Sequence, residues 1–233
     1  MFTQNDYLDF LDKLKSIGSP KLADFYNRSN PSTYESLGIS VPNLREIAKE
    51  VAKGDFRGFL ACKSGEYVDE HMVKAMVIAS AKMPIEEKLL YIKAFVPNIE
   101  SWAVCDTLCN DFKDARKNRE QVWEFLKEYY NSDEEFELRF LSVMLLWHFT
   151  TDEYTDESLR ILANIHHTGY YAKMGVAWGI SQFFIYQRDK TMPLIESMTL
   201  DPWIQNKAIQ KIRESFRSST ADKEHLLKFK VKQ

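Results

Sequence analysis

The chain has 233 residues, 45% hydrophobic and 28% charged, with a formal net charge of −3. That length supports a sizeable core, in one elongated domain or two small ones, and the charge excludes an overall basic field for tight nonspecific binding of nucleic acid while leaving room for a local basic patch. No apolar run reaches the roughly 20 residues of a membrane span, MFTQNDYLDF (1–10) lacks a basic stretch followed by an apolar one, and three cysteines, Cys62, Cys105 and Cys109, make no disulfide framework; a cytoplasmic protein is expected.

Between the glycines and prolines, nearly every segment spaces its apolar residues as a helix does. No helix is read before residue 41; PKLADFYNRSNP (20–31) is short and ends in turn formers. In VPNLREIAKEVAK (41–53), Leu44, Ile47, Ala48 and Val51 fall at i, i+3, i+4 and i+7, with Pro42 placed for a first turn. A helix near 66–82 follows, and PIEEKLLYIKAF (84–95) opens with proline and acids, the favourable charge for a helix N-terminus. Further helices are predicted near 100–112, 115–130, 134–149, 156–166, 169–187, 190–198, 202–217 and 220–229. No long alternating strand pattern competes, and the expected fold is all-α.

Three of these helices repeat. Aligning ELRFLSVMLL (137–146), YAKMGVAWGI (171–180) and QNKAIQKIRE (205–214) puts Arg139, Lys173 and Lys207 in register at intervals of 34 residues, with Cys105 a further 34 upstream. Each period holds two helices joined by short polar turns, the pattern of a helical-repeat solenoid whose stacked pairs bury a continuous core and expose a concave face. The expectation is one curved superhelical domain over residues 1–233.

The stretch SWAVCDTLC (101–109) holds the chemistry. Cys105 and Cys109 lie one turn apart around Asp106, but no second Cys or His pair stands at a zinc spacing, and His148, His166 and His167 are distant. Small cysteines on a helix fill cores, so no metal is expected. Trp102 and Asp106, four residues apart, share a helix face. Asp106 either braces a neighbouring helix while Trp102 packs in the core, or the two belong to a groove that equivalent helices complete with Arg139 and Trp178. In such a groove indoles hold a cation or stack on a base or sugar. A desolvated carboxylate stabilises positive charge developing at a sugar C1′, or orients water for attack on it. An arginine holds a phosphate. His166 and His167 read as helix-end residues, KFKVK (228–232) as a solvated tail, and Trp203 as packing.

These residues resemble the DNA alkylation repair proteins of the AlkD type, which are built from HEAT-like two-helix repeats. The likeness runs from GISVPNLREIAKEV (38–51) to the terminal helix and rests on Trp102 and Asp106 in a WxxxD pattern, Arg139 in FELRFLSVMLL and Trp178 in MGVAWGI. It implies excision of positively charged alkylated purines, such as 3-methyladenine and 7-methylguanine, without drawing the base into a pocket and without metal or cofactor. Asp106 would steady the oxocarbenium-like sugar, Trp102 and Trp178 would pack on the deoxyribose, and Arg139 would help hold the DNA backbone; Lys173 and Lys207 share its register.

Three departures stand out. The active glycosylases carry a second N-terminal helix with an aromatic that touches DNA, for which Phe25 or Tyr26 is the counterpart in a segment read as turn. Ser181 and Gln182 stand where the family offers an arginine, and WHF (147–149) where lysines tend to follow Arg139. Each missing cation removes a phosphate contact and its counterion release. With WAVCDTL (102–108) and LDPWIQNKAIQK (200–211), these departures resemble the AlkD2 branch, which is similar in lacking the DNA-reading helix and is not an effective alkylpurine glycosylase. The sequence therefore predicts a monomeric family member with a glycosylase-like cleft and little or no excision, binding another nucleic acid structure weakly or a protein partner. An active glycosylase is the second reading and a protein-binding helical scaffold the third.

Overall fold

A computed structural model describes residues 2–29, 32–63 and 65–232. The described residues hold fourteen α-helices and no strand; Glu35 and Tyr67 form one isolated bridge. Backbone contacts divide the chain into two compact units, Met1–Asn118 and Arg119–Gln233, and each is described by itself.

The first unit is organised around α5 (Val68–Ser80), in which every residue from Val68 to Ala79 is buried. Helices α3 (Val41–Lys53) and α7 (Trp102–Asp111) both pack against it, as do the short α4 (Phe56–Ala61) and α6 (Ile85–Phe95). Full burial forces α5 to satisfy its charged side chains internally, because an unpaired charge inside the core costs several kcal/mol. Asp69 accepts from the Leu37 N–H at 2.7 Å, the Ile39 N–H at 3.1 Å and the Ser36 hydroxyl at 3.0 Å. Glu70 accepts from the Tyr7 hydroxyl at 2.8 Å and from the Gly65 and Tyr67 N–H groups at 3.0 and 3.1 Å. Lys74 donates to the Cys62 carbonyl and holds its ammonium 5.2 Å from the Tyr7 ring centre. On α6, the fully buried Lys88 donates to Ala79 O at 2.9 Å and pairs with Asp114 at 2.5 Å.

Two helices precede α3 where none is expected. In α1 (Gln4–Ile17), Thr3 and Asp6 form a capping box, and the helix buries only Tyr7 and Leu14. In α2 (Pro20–Ser29) no side chain is buried. Its seat is built from the backbone. Gly38 takes φ +76°, and a Cβ there would lie 2.2 Å from Ser19 O and 2.4 Å from Ala23 N, so only glycine lets the loop pass this close to α2. The Ser19 N–H donates to Leu37 O at 3.0 Å and the Ser36 N–H to Asn27 Oδ1 at 2.8 Å. Asp69, pinning residues 36–39 from below, thereby positions α2.

In the second unit, α11 (Tyr170–Tyr186) packs against α9 (Glu135–His148) and α13 (Pro202–Glu214), and also against α10 (Asp152–Ala163) and α12 (Arg188–Ser197). Gly175 of α11 permits the close approach to α9, since a Cβ there would already touch Ser142 Cβ at 3.3 Å and Arg139 Cα at 3.4 Å. The 34-residue register survives in three dimensions: Arg139, Lys173 and Lys207 lie on α9, α11 and α13, helices packed in succession. Helix α8 (Arg119–Leu126) begins later than the expected 115, because Lys113–Arg116 forms a 3-10 turn instead.

The histidines and the tail differ from expectation. Helix α10 ends at Ala163, so His166 and His167 lie in the connection, where His167 Nδ1 accepts the Gly169 N–H at 2.9 Å at the entry to α11. After α14 (Thr220–His225) and a 3-10 turn at Leu226–Phe229, KFKVK keeps its three lysines exposed, as expected, while its backbone is docked. Asn206 Nδ2 donates to Val231 O at 2.8 Å, the Val231 N–H returns to Asn206 Oδ1 at 2.9 Å, and Gln205 Nε2 donates to Phe229 O at 3.1 Å.

Candidate functional site

Ser101 starts α7 by accepting from the Ala103 and Val104 N–H groups at 3.2 and 3.4 Å. The helix turns Val104, Cys105, Leu108 and Cys109 into the core, which leaves Trp102 and Asp106 half-buried on a common face. The cysteines are thus packing residues. Among the described residues, no group of three or more His, Cys, Asp or Glu could hold a metal ion.

The indole N–H of Trp102 donates to Ser29 O, the last carbonyl of α2, at 3.2 Å. This bond fixes the indole by its edge and places α2 beside it. Phe25 of α2 is 58% exposed, with the Tyr26 ring 5.7 Å away. The sequence reading therefore requires correction: a second N-terminal helix carrying an exposed aromatic, Phe25, is present. Turn formers at its end hid it, and with no buried side chain it has no apolar stripe to read. At the far end of α7, Asp111 engages Arg45 through both carboxylate oxygens at 3.1 and 3.2 Å, so that guanidinium is already neutralised.

In the second unit the register residues have different surroundings. Arg139 is only 4% exposed and donates from Nη1 to Tyr171 O at 3.1 Å. Trp178 is half-buried, edge-on to Trp147 with ring centres 6.0 Å apart. The Ser181 hydroxyl, where the family offers an arginine, is buried against Trp178 O at 2.7 Å. Lys173 pairs with Asp201 at 3.2 Å, and Lys207 donates to Gln210 Oε1 at 2.9 Å. Both ammoniums lie over Trp203, 5.3 and 5.5 Å from its ring centre, which makes that indole more than packing. Asp201 caps α13 through the Trp203 and Ile204 N–H groups. Burial alone would raise its pKa, but the Ile204 N–H, the Lys173 ammonium and the Trp203 N–H outweigh it and hold the carboxyl below its ordinary value.

An aromatic row across the N-terminal ends of α9, α11 and α13 escaped the sequence reading. Phe136 stacks on Tyr171 at 5.3 Å, Tyr171 meets Tyr170 edge-on at 5.3 Å, and Tyr170 meets Trp203 at 5.8 Å. Its signal was available: Phe136 and Tyr170 stand 34 residues apart, the same interval as the cations beside them.

The family model of DNA alkylation repair enzymes matches residues 10–212. The chain belongs to that family. A search of curated proteins gives no match. The residues matched run from α1 to α13 and so include α2, α7, α9 and α11, the helices that bear Phe25, Trp102, Asp106, Arg139 and Trp178. No helix among the described residues is long and apolar enough to cross a membrane.

Proposed function

We propose that this member of the DNA alkylation repair family is a DNA glycosylase for cationic alkylated purines, with Asp106 as the catalytic carboxylate. The observation that carries this reading is the arrangement of α7 and α2: an indole and a carboxylate on one half-buried face, with the indole bonded to the last carbonyl of α2, the helix that bears the exposed Phe25. As the C1′–N bond of an alkylated purine breaks, the base departs neutral with the bonding electrons and the positive charge passes to the sugar. A half-buried carboxylate stabilises that charge more strongly than one in bulk water, because its surroundings screen less. Water then adds its oxygen to C1′ and releases a proton, for which Asp106 is the nearest acceptor in this scheme. Trp102, held at its edge, offers a face to the deoxyribose. The family resemblance assigns Arg139 to the DNA backbone, and Lys173 and Lys207 join it in this scheme through their shared 34-residue register.

A second reading, a non-excising protein of the AlkD2 type that binds another nucleic acid structure, is favoured by one observation. Ser181 is buried where the family offers an arginine, so no phosphate contact comes from that turn. Release of 7-methylguanine from methylated duplex DNA separates the two. The native chain is expected to release base and Asp106→Asn to lose at least a hundredfold in rate, the scale of removing one charge-stabilising group. No release by the native chain refutes excision and leaves the second reading.

A further inference from the structure

Helix α13 and segment 226–232 border a cavity of about 270 Å³ lined by Trp203, Asn206, Lys207, Gln210, Arg213 and Lys230 among others, with no carboxylate in its wall. Several cations elsewhere are neutralised by acids: Arg57 pairs with Glu87, Arg188 with Asp222, and Lys190 with Asp152 and Asp156. Here the partners are neutral. Lys207 meets the Gln210 amide oxygen at 2.9 Å, and Arg213 Nε donates to Lys223 O at 3.1 Å. No described carboxylate pairs with Lys207, Arg213 or Lys230. This is notable in a chain whose acids outnumber its lysines and arginines, 34 to 31.

Like charges gathered around one depression repel one another. Here the arrangement is nonetheless fixed. The two-way hydrogen bonding of Asn206 with Val231 and the bond from Gln205 to Phe229 O bracket Lys230 on both sides and hold its backbone to α13. Glu214 accepts from Gln210 Nε2 at 2.8 Å but does not line the wall, and cations held around a wall free of carboxylates bind an anion with little ordering cost. The Trp203 wall suits an anion that carries an apolar or aromatic neighbour, as a phosphate within a strand does.

We propose that this cavity seats one phosphodiester of a nucleic-acid strand on Lys207, Arg213 and Lys230, with Trp203 against the adjoining sugar or base. The assignment rests on the nucleic-acid part of the function proposed above but not on excision, since it uses no atom of the Asp106 site.

The test is fluorescence anisotropy of a labelled 20-base-pair duplex between 50 and 200 mM NaCl. It compares the native chain, the triple variant K207Q/R213Q/K230Q, and a control K49Q/K53Q that removes two exposed cations of α3. Losing one neutralised phosphate lowers the slope of log K against log salt by about 0.9, so the affinity lost across that salt range shrinks roughly 3.5-fold relative to native. The control keeps the native slope. Lys230→Gln alone, in a segment outside every α-helix, shows part of the same change and serves if the triple variant melts early. An unchanged slope in folded variants overturns the site. A melting temperature raised by millimolar inorganic phosphate in the native chain but not in the triple variant, with DNA binding unaltered, overturns the strand assignment in favour of a free phosphate ion. A lowered slope together with no base release by the native chain supports the site while refuting the glycosylase.

Discussion

Replacing Gly38 by alanine tests whether α2 is seated by backbone rather than by side chains. The new Cβ meets two penalties. A non-glycine residue at φ +76° costs about 1–3 kcal/mol, and contacts of 2.2 Å to Ser19 O and 2.4 Å to Ala23 N cannot be borne without movement of one backbone relative to the other. Opposing that movement are the hydrogen bonds of Ser19 to Leu37, Ser36 to Asn27 and Trp102 to Ser29. At about 1 kcal/mol net each they sum to roughly 3 kcal/mol, with no buried α2 side chain to add to them. Strain and clash together exceed that sum, so α2 detaches while the core around α5 stays folded. Gly38→Ala is therefore expected to lower global stability by no more than about 3 kcal/mol in chemical denaturation. Amide exchange in residues 20–29 should accelerate to near the rate of an unfolded chain while α5 keeps its protection, and 7-methylguanine release should fall with it. Native exchange rates in α2 would refute the backbone seat; lost protection with undiminished release would refute a role for α2 in the chemistry.

Two further predictions concern buried charge. Burial pushes the His71 imidazole below its ordinary value of about 6.5, Glu70 opposing and Lys74 reinforcing the shift, with the Tyr34 ring 4.4 Å away and Glu100 also facing it. The unfolded chain therefore takes up the proton first as pH falls, and the stability His71 contributes is present above about pH 6.5 and lost below it, down to its folded pKa. Denaturation midpoints at pH 7.5, 6.5 and 5.5 should fall in that order and flatten in His71→Gln; equal pH dependence in both proteins would refute this. For Lys88, Asp114 keeps 45% of its side chain in solvent, so losing the ammonium strands little charge, and the buried stem dominates. Lys88→Met should cost about 1–2 kcal/mol for the unpaired Ala79 carbonyl. Lys88→Ala should cost about 4, adding three methylenes at about 0.8 kcal/mol each, as read from urea denaturation; equal costs for the two variants would refute the partition.

Most helices from residue 41 onward were legible because they bury apolar residues at helical spacing, as do Leu44 and Ala48 of α3 or Ile204, Ala208 and Ile212 of α13. Helix α2 was not, since it buries nothing, and α4, six residues with Gly58 in the middle, is too short for a period to show. The carboxylate and indole of the candidate site followed from their four-residue spacing. Their supports did not, because Asp69, Glu70 and Lys74 look in sequence like the polar face of an amphipathic helix. Their partners, at Ser36 to Ile39, Tyr7 and Cys62, lie 12 to 63 residues away along the chain. The docked tail was hidden for the same reason: its hold comes from Gln205 and Asn206 on α13, not from any pattern in KFKVK.

An α2 that buries no side chain and is held by backbone bonds and Asn27 has a consequence for descent. Substitutions at Lys21, Asp24, Phe25 or Arg28, all exposed, fall in the class that changes stability by a few tenths of a kcal/mol. Selection can thus rewrite nearly the whole outer surface of this helix, altering which lesion or strand it meets, while Gly38 and Asp69 keep it mounted. Divergence in ligand preference among relatives would then concentrate in ten residues, and the scaffold that carries the carboxylate would pass unchanged from one specificity to the next.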